Sequence, residues 1–467
     1  MLTYQDLLKI EQTDDAKRAF VSSAINAHKQ SDIYKTAEVA DLYDKKQNKT
    51  IMNYQKLLYT ISGVAVPDNF SANYKLCSNF FNRFVTQQSQ YLLGNGLSLS
   101  DNNQKEMLGK DFDTRLQELG RNALVDGVSF GFWNYDHLEV FRVKEFVPLY
   151  DEENGALMAG IRFWQIDKTK PLRATLFELD GYTDYIWNAD NVNGGVLNEK
   201  RPYILTFHTS EADGTKIYDG ENYPSFPIVP LWGNPAHQSE LVGIQEQIDA
   251  YDLIKSGFAN DLDDTSQIYW TIQNAGGMDD IDLARFVERM KTVKAAVVDD
   301  AGARAEAHTM DVPYASREAL LTRLRSDLYE DFMALDTKNI ANGATTATQI
   351  KAAYEPINNK TDMYEYCVLD FLDNLFLLVG IENADPSFTR SIIVNVQENM
   401  QLLLQGAEYL TEDYVTQKIL ELFGDGDRTE DILKEKERED RDRMPVGNED
   451  NSGNKEEEDN NPPAEEV

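Results

Sequence analysis

The stretch Asp331–Lys360, DFMALDTKNIANGATTATQIKAAYEPINNK, decides how the second half of this chain is read, because one helix stops in it and another begins. Asn339, Asn342 and Gly343 tolerate left-handed backbone, and glycine is the usual residue just past a helix end. Thr346 followed by Gln349 is a capping-box pattern, the hydroxyl accepting from the Gln349 amide while the Gln side chain returns to Thr346. A new helix is therefore expected from Ala347. Pro356 has no amide hydrogen and crowds the preceding turn, so the helix is expected to kink or break there and resume near Asp362. The pattern describes an exposed hinge loop flanked by Lys338 and Lys351.

Upstream, Ser316 caps a helix over REALLTRLRSDLYEDFMAL. Ser239–Leu262 reads as an earlier long helix with Leu241, Ile244, Ile248, Tyr251, Phe258 and Leu262 on one stripe. That helix is also acidic through Glu246, Asp249, Asp252, Asp261, Asp263 and Asp264. Between the two, residues 265–315 combine strand-like IYWTIQ and KAAVV, a helical IDLARFVERM and a loop DDAGARAEAH, which fits a small α/β insertion.

Residues 128–232 change character. HLEVFRVKEFVPLY, ALMAGIRFWQI, LRATLFEL, YTDYIW and RPYILTFH are aromatic and β-branched runs separated by turn signals, the signature of consecutive antiparallel hairpins. FPIVPLWGNP closes this region. Before it, residues 3–62 read as helical, with Thr13 or Asp14 as a cap and much of the segment a surface arm. Tyr74–Leu93 reads as a helix ended by Gly94, Asn95 and Gly96, and Phe112–Val125 as another. After Pro356, Tyr366, Leu369, Leu372, Phe376 and Val379 fall at helical spacing, with Val368, Phe371, Leu375 and Leu378 widening the stripe up to Gly380. A strand FTRSIIVNV and helices opened by Thr411 and Thr429 follow, and from Arg441 the composition is that of a disordered acidic tail. The fold class is α+β.

At 467 residues the chain exceeds the size at which one core keeps growing, so at least two subdomains are expected. Eighty acidic against 45 basic residues give a formal charge of −35, a surface that repels nucleic acid and suits weak rather than tight contact with it. Cys77 and Cys367 are too far apart to form a disulfide framework and read as core thiols in a reducing compartment. Met1–Gln30 lacks the basic start and apolar run of a signal peptide, and no run of 18 apolar residues exists, so a soluble intracellular protein is expected.

Catalytic chemistry is sparse. Gly127, Ser129 and Gly131 spell G-x-S-x-G, but a helix precedes the motif and a strand follows it, the reverse of a nucleophile elbow. The motif reads instead as two glycines where a helix passes closely into a sheet. His28, His137, His208, His237 and His308 show no metal-ligand spacing, and neither phosphate-binding glycine loop is present. Gly424–Asp427 lacks the register of a calcium loop. No metal, cofactor or catalytic residue is assigned.

Two long segments, IVPLWGNPAHQSELVGIQEQIDAYDLIKSGFANDLDD and DFMALDTKNIANGATTATQIKAAYEPINNKTDMYE, occur with the small α/β module between them. In this order the chain resembles bacteriophage portal proteins of the type found in tailed phages of Gram-positive hosts, the SPP1-like portal family, from about Asn48 to Leu433. The resemblance implies an N-terminal arm and sheet-rich wing over 1–238, stem helices over 239–264 and 316–335, and a clip over 265–315. It further implies a tunnel loop over 336–346, a kinked wing helix and returning strand over 347–396, a helical crown over 397–440 and the acidic tail over 441–467. It implies a ring of twelve subunits at one capsid vertex, assembled in the host cytoplasm and carried in the virion. Double-stranded DNA would be packaged and ejected through the ring without sequence specificity. The implied partners are the terminase large subunit, a head-completion or adaptor protein, and the major capsid and scaffolding proteins, with no membrane. Lys338, Asn339, Asn342, Gly343 and Lys351 are then expected near DNA, and Asp249, Asp252, Arg323 and Arg325 as channel stem charges. The competing readings are a structural virion component that does not handle DNA and a serine hydrolase using Ser129.

Overall fold

A computed structural model describes residues 2–59, 63–69, 71–188, 194–209, 216–265, 269–273, 281, 285, 304–308, 314–338, 347–390, 396–423, 426, 429, 432–436 and 438. The chain divides into two units, Met1–Ile392 and Ile393–Val467. Both helix and antiparallel strand are abundant, and the α+β expectation holds.

The first unit opens with helices α1 (Tyr4–Lys9), α2 (Asp14–Gln30), α3 (Asp32–Asp44) and α4 (Lys49–Asn53). Thr3 and Asp6 form a reciprocal capping box on α1, and Thr13 caps α2 by accepting from the Ala16 amide at 3.4 Å. The helical reading of residues 3–62 fails at its end, where β1 (Leu57–Tyr59) pairs with β2 (Ala65–Pro67). The surface-arm reading also needs correction. Leu7, Phe20, Val21, Ala24 and Ile25 are buried in one cluster with Leu149, Ile161, Leu176, Tyr185 and Trp187 of the sheet, each large side chain contributing about 2 kcal/mol.

The remaining elements of this unit begin with α5 (Phe80–Leu93), β3 (Leu97–Ser98), α6 (Asn102–Met107) and α7 (Phe112–Asp126). Strands β4 (Val128–Asn134), β5 (His137–Arg142), β6 (Phe146–Tyr150), β7 (Leu157–Trp164), β8 (Leu172–Glu178), β9 (Gly181–Trp187) and β10 (Gly194–Arg201) follow. β11 (Ile204–Thr209), β12 (Lys216–Glu221) and β13 (Ile228–Trp232) complete the sheet region. Five strands pair antiparallel in the order β10-β9-β8-β7-β6, and three in the order β13-β4-β5. The consecutive-hairpin reading is therefore right in kind, but HLEVFRVKEFVPLY is two strands in two sheets. The chain turns between Arg142 and Glu145, whose amide donates back to the Arg142 carbonyl at 2.9 Å. Phe130, Phe132, Phe141, Phe146 and Phe177 fill the space between the sheets.

Then come α8 (Gln245–Thr265), the antiparallel pair β14 (Tyr269–Gln273) and β15 (Arg304–His308), α9 (Tyr314–Phe332), α10 (Ala347–Val379) and β16 (Ser387–Phe388). RAEAH, expected within a loop, is the strand β15, while KAAVV and most of IDLARFVERM lie outside the described residues. α10 does start at Ala347, yet it runs unbroken through Pro356. Tyr366, expected on its buried stripe, is 73% exposed, whereas Val368, Phe371, Leu372, Leu375 and Phe376 are buried as expected and Tyr364 joins them. Of FTRSIIVNV, Phe388 belongs to β16 and residues 391–395 lie outside the described residues.

The second unit contains α11 (Val396–Gln405) and α12 (Glu412–Phe423). Thr411 accepts from the Tyr414 amide at 3.4 Å, as expected of a helix opener. The expected disordered tail from Arg441 lies outside the described residues.

The G-x-S-x-G stretch acquires a packing explanation. Gly127 ends α7 at φ +94°, a conformation that excludes most side chains. A Cβ on Gly131 would meet the Phe371 ring at 2.8 Å, so this glycine lets α10 lie against β4. Ser129 is fully buried and its hydroxyl donates to the Phe141 carbonyl at 3.1 Å, which removes it as an accessible nucleophile. Cys77 and Cys367 are free and half-buried rather than core residues.

Candidate functional site

α9 and the root of the following loop form the first part of the site. The helix ends at Met333, whose φ of +61° is left-handed. The Met333 amide donates to Glu330 at 3.0 Å and the Ala334 amide to Tyr329 at 2.9 Å, the two bonds of a Schellman termination. A methionine occupies the position that glycine usually takes, which is why composition pointed past this stop to Gly343.

After the turn, Leu335 is buried and the Gln87 side chain on α5 grips its peptide from both sides. Gln87 Nε2 donates to the Leu335 carbonyl at 3.0 Å, and the Leu335 amide donates to Gln87 Oε1 at 3.1 Å. Asp336 next accepts both guanidinium arms of Arg325 at 2.8 Å each and the Lys338 amide at 3.2 Å. The Arg325 contact holds the Asp336 carboxyl below its usual range. Beyond Lys338, residues 339–346 lie outside the described set, including Asn339, Asn342, Gly343 and the expected cap Thr346.

The chain reappears in α10. Ile350, Ala353, Tyr354 and Ile357 pack with Leu335 and Tyr91 in an apolar cluster separate from the main core. Both ends of the loop thus converge on one small core. Lys338 and Lys351 are exposed on either side of it. Lys360, by contrast, is held by Glu240 at 2.6 Å and lies 3.4 Å over the Phe332 ring.

The paired helices α8 and α9 carry the four expected stem charges, and the structure separates them. Arg323 is open to solvent, its side chain 77% exposed and paired within its own helix to Asp327 at 2.9 Å. Arg325 is committed to Asp336 and stacks over Tyr329 at 4.6 Å. Asp249 accepts from the Tyr43 hydroxyl at 2.5 Å and Thr50 at 2.7 Å. Asp252 is fully buried, so its carboxylate is not a solvent-facing charge of this protomer. Between the helices, Arg317 pairs with Asp261.

Asp252 begins a ladder that the sequence did not reveal. The helix expected over Tyr74–Leu93 begins only at Phe80, and residues 74–78 instead run alongside α8 with alternate amides turned toward it. The Ser78 amide donates to Asp252 at 2.8 Å, Leu76 to Ser256 at 3.0 Å and Tyr74 to Asn260 at 2.6 Å. Two residues of extended chain advance about 6.6 Å, and four residues of helix about 6 Å. The two repeats therefore match for three rungs, which satisfy backbone donors that would otherwise be buried without partners. Asn48 adds a donor to the second Asp252 oxygen, and desolvation still raises the Asp252 pKa. The signal available in sequence was the i, i+4, i+8 spacing of Asp252, Ser256 and Asn260, which reads identically to a solvated face.

Residues 22–442 match the family described as phage portal protein, SPP1 Gp6-like. The portal protein of Clostridium phage phiCD119 is 25% identical over 367 residues, covering 71% of this chain and 78% of the relative. That of Bacillus phage SPP1 is 23% identical over 389 residues, covering 75% and 74%. A chain from the neck of a native GTA particle, computed with C12 symmetry, matches with a TM-score of 0.40 and 11% identity over 73% of this chain and 89% of that one. One from the neck of an empty GTA particle, computed with C6 symmetry, matches with a TM-score of 0.41 and 12% identity over 73% and 90%.

Proposed function

The chain belongs to the SPP1 Gp6-like phage portal family and is a head-tail connector of the virion, and from that premise we propose that α8 and α9 are the stem of a twelve-subunit ring through which double-stranded DNA passes. The observation that carries this reading is the exposure of α9. Arg317, Leu321 and Leu324 are partly covered, while Tyr314, Ala315, Glu318, Ala319, Leu320, Thr322 and Arg323 are all exposed. A helix that shows Tyr314 at 64% and Leu320 at 46% exposure has flanks suited to neighbouring copies.

In this reading Lys338 and Lys351 bracket the loop that approaches DNA, together with Asn339, Asn342 and Gly343. Arg323 is the stem charge best placed to face the lumen or a neighbouring subunit. Contacts with phosphate are weak and sequence-independent, and the net charge of −35 keeps DNA mobile. The segment around β14 and β15 is the clip where a terminase and later a head-completion protein dock, and the ring occupies one capsid vertex.

Native mass measurement and negative-stain imaging at moderate salt test the ring. Rings of about twelve copies with a hole that admits duplex DNA are expected for assemblies of closed symmetry. A monomer that persists across concentrations refutes the proposal. Deleting residues 337–343 tests the loop: rings should still form while packaging fails, and undiminished packaging rejects the loop's role.

A further inference from the structure

We propose that α5 is a rail that fixes both roots of the loop, with Gln87 as the residue that positions it. Three α5 residues one turn apart, Arg83, Gln87 and Tyr91, hold three successive parts of the chain. Arg83 donates to the Tyr329 hydroxyl near the end of α9 at 3.0 Å. Gln87 pairs with both polar groups of the Leu335 peptide. Tyr91 donates its hydroxyl to Asn358 on α10 at 2.6 Å and stacks on Tyr354 with ring centroids 5.8 Å apart.

Residues at i, i+4 and i+8 lie on one helix face and span about 12 Å along the axis. One rigid element therefore contacts the chain before, at and after the loop's entry and exit. Between these grips Phe84 stacks on Phe332 at 4.7 Å, and Leu335 closes the small core with Tyr91, Tyr354 and Ile357. The amide pairing by Gln87 is directional in a way that apolar packing is not. It fixes the height of the Leu335 peptide along α5, and through Asp336 and Arg325 the direction in which the chain leaves. α5 thereby holds the described chain on both sides of residues 339–346, at Leu335 before them and at Tyr354 and Asn358 after them.

This inference rests on the reading that the loop approaches DNA, so its test separates the two. Rings of full-length Gln87→Leu and Gln87→Glu are compared with wild type for subunit number, hydrogen exchange at the Leu335 amide and DNA content of capsids built with them. Gln87→Leu removes both hydrogen bonds, so exchange at Leu335 should rise about tenfold and DNA content should fall in rings of unchanged size. Gln87→Glu keeps the acceptor for the Leu335 amide but sets an oxygen against its carbonyl. Leu335 should then stay protected while DNA content still falls, a split that a purely structural role would not produce. Wild-type DNA content with Gln87→Glu overturns the rail, as does unchanged Leu335 exchange in Gln87→Leu. If the 337–343 deletion packages normally, the loop reading fails. If that deletion blocks packaging while both Gln87 variants behave as wild type, the rail alone fails.

Discussion

Replacing Asp252 by alanine gives the sharpest test of the ladder on α8. The substitution leaves the Ser78 amide and the Asn48 side-chain amide facing a void in a fully buried site. Each orphaned donor costs about 1–3 kcal/mol. Part of that is offset because a desolvated carboxylate is itself unfavourable, as its raised pKa records. A net local loss of about 2 kcal/mol follows, equivalent to roughly 30-fold in an opening equilibrium. The assay is residue-resolved hydrogen exchange of the assembled protein. In the wild type the amides of Tyr74, Leu76 and Ser78 should be protected although they belong to no sheet, because alternate amides of an extended chain point to α8. Asp252→Ala should accelerate exchange at Ser78 most and at Tyr74 least. Asp252→Asn should cost about 1 kcal/mol, since its new donor meets the Asn48 amide until Asn48 flips and gives up the Ser78 carbonyl. Because the folded pKa lies above the unfolded value of 3.8, the carboxyl contributes stability below 3.8 that is lost as pH rises through the folded pKa. Protection at Ser78 in the wild type should therefore improve on mild acidification, and that of Asp252→Asn should not. Uniformly fast exchange across 74–78 in the wild type, or an unchanged Ser78 in Asp252→Ala, refutes the ladder.

Gly131→Ala should destabilise by about 1–3 kcal/mol by forcing its Cβ against Phe371, read as a lowered thermal midpoint. Met333→Gly should instead stabilise by about 0.5–1 kcal/mol, because the left-handed Schellman position no longer carries a side chain, and the Ala334 amide should exchange more slowly. His28 is buried, its Nε2–H donates to the Val143 carbonyl at 2.8 Å, and desolvation lowers its pKa below 6.5. Its neutral form contributes stability above pH 6.5 that is lost as pH falls through the folded value, so His28→Gln should flatten the pH dependence of unfolding between pH 7.5 and 5.5 by at most about 1.4 kcal/mol per pH unit.

Local chemistry made the α+β class, the hairpin region, the Thr13 and Thr411 caps and the start of α10 legible in the sequence, because period and capping act within a few residues. Where local rules failed, a distant partner had taken over. α10 continues through Pro356 with its apolar residues buried on Leu335 and Tyr91, so packing outweighs the local cost of a proline in a helix. The helix starts at Phe80 rather than Tyr74 because α8 side chains, about 180 residues away in sequence, bind alternate amides at Tyr74, Leu76 and Ser78, a repeat of two that a helical turn cannot present.

The sequence by itself determined the hairpin region, most of the long helices and, through the order of its two long segments, the family. Only the tertiary structure decided what the polar residues do. Asp249, Asp252 and Arg325 look alike as charges on paired helices, yet two are enclosed or bound by remote segments and one anchors the loop root, while Arg323 stays open. Gln87 carries no sequence signal at all. A polar side chain four residues from its neighbours on a helix is read the same whether water or another backbone faces it, and that choice is made only when the segments pack.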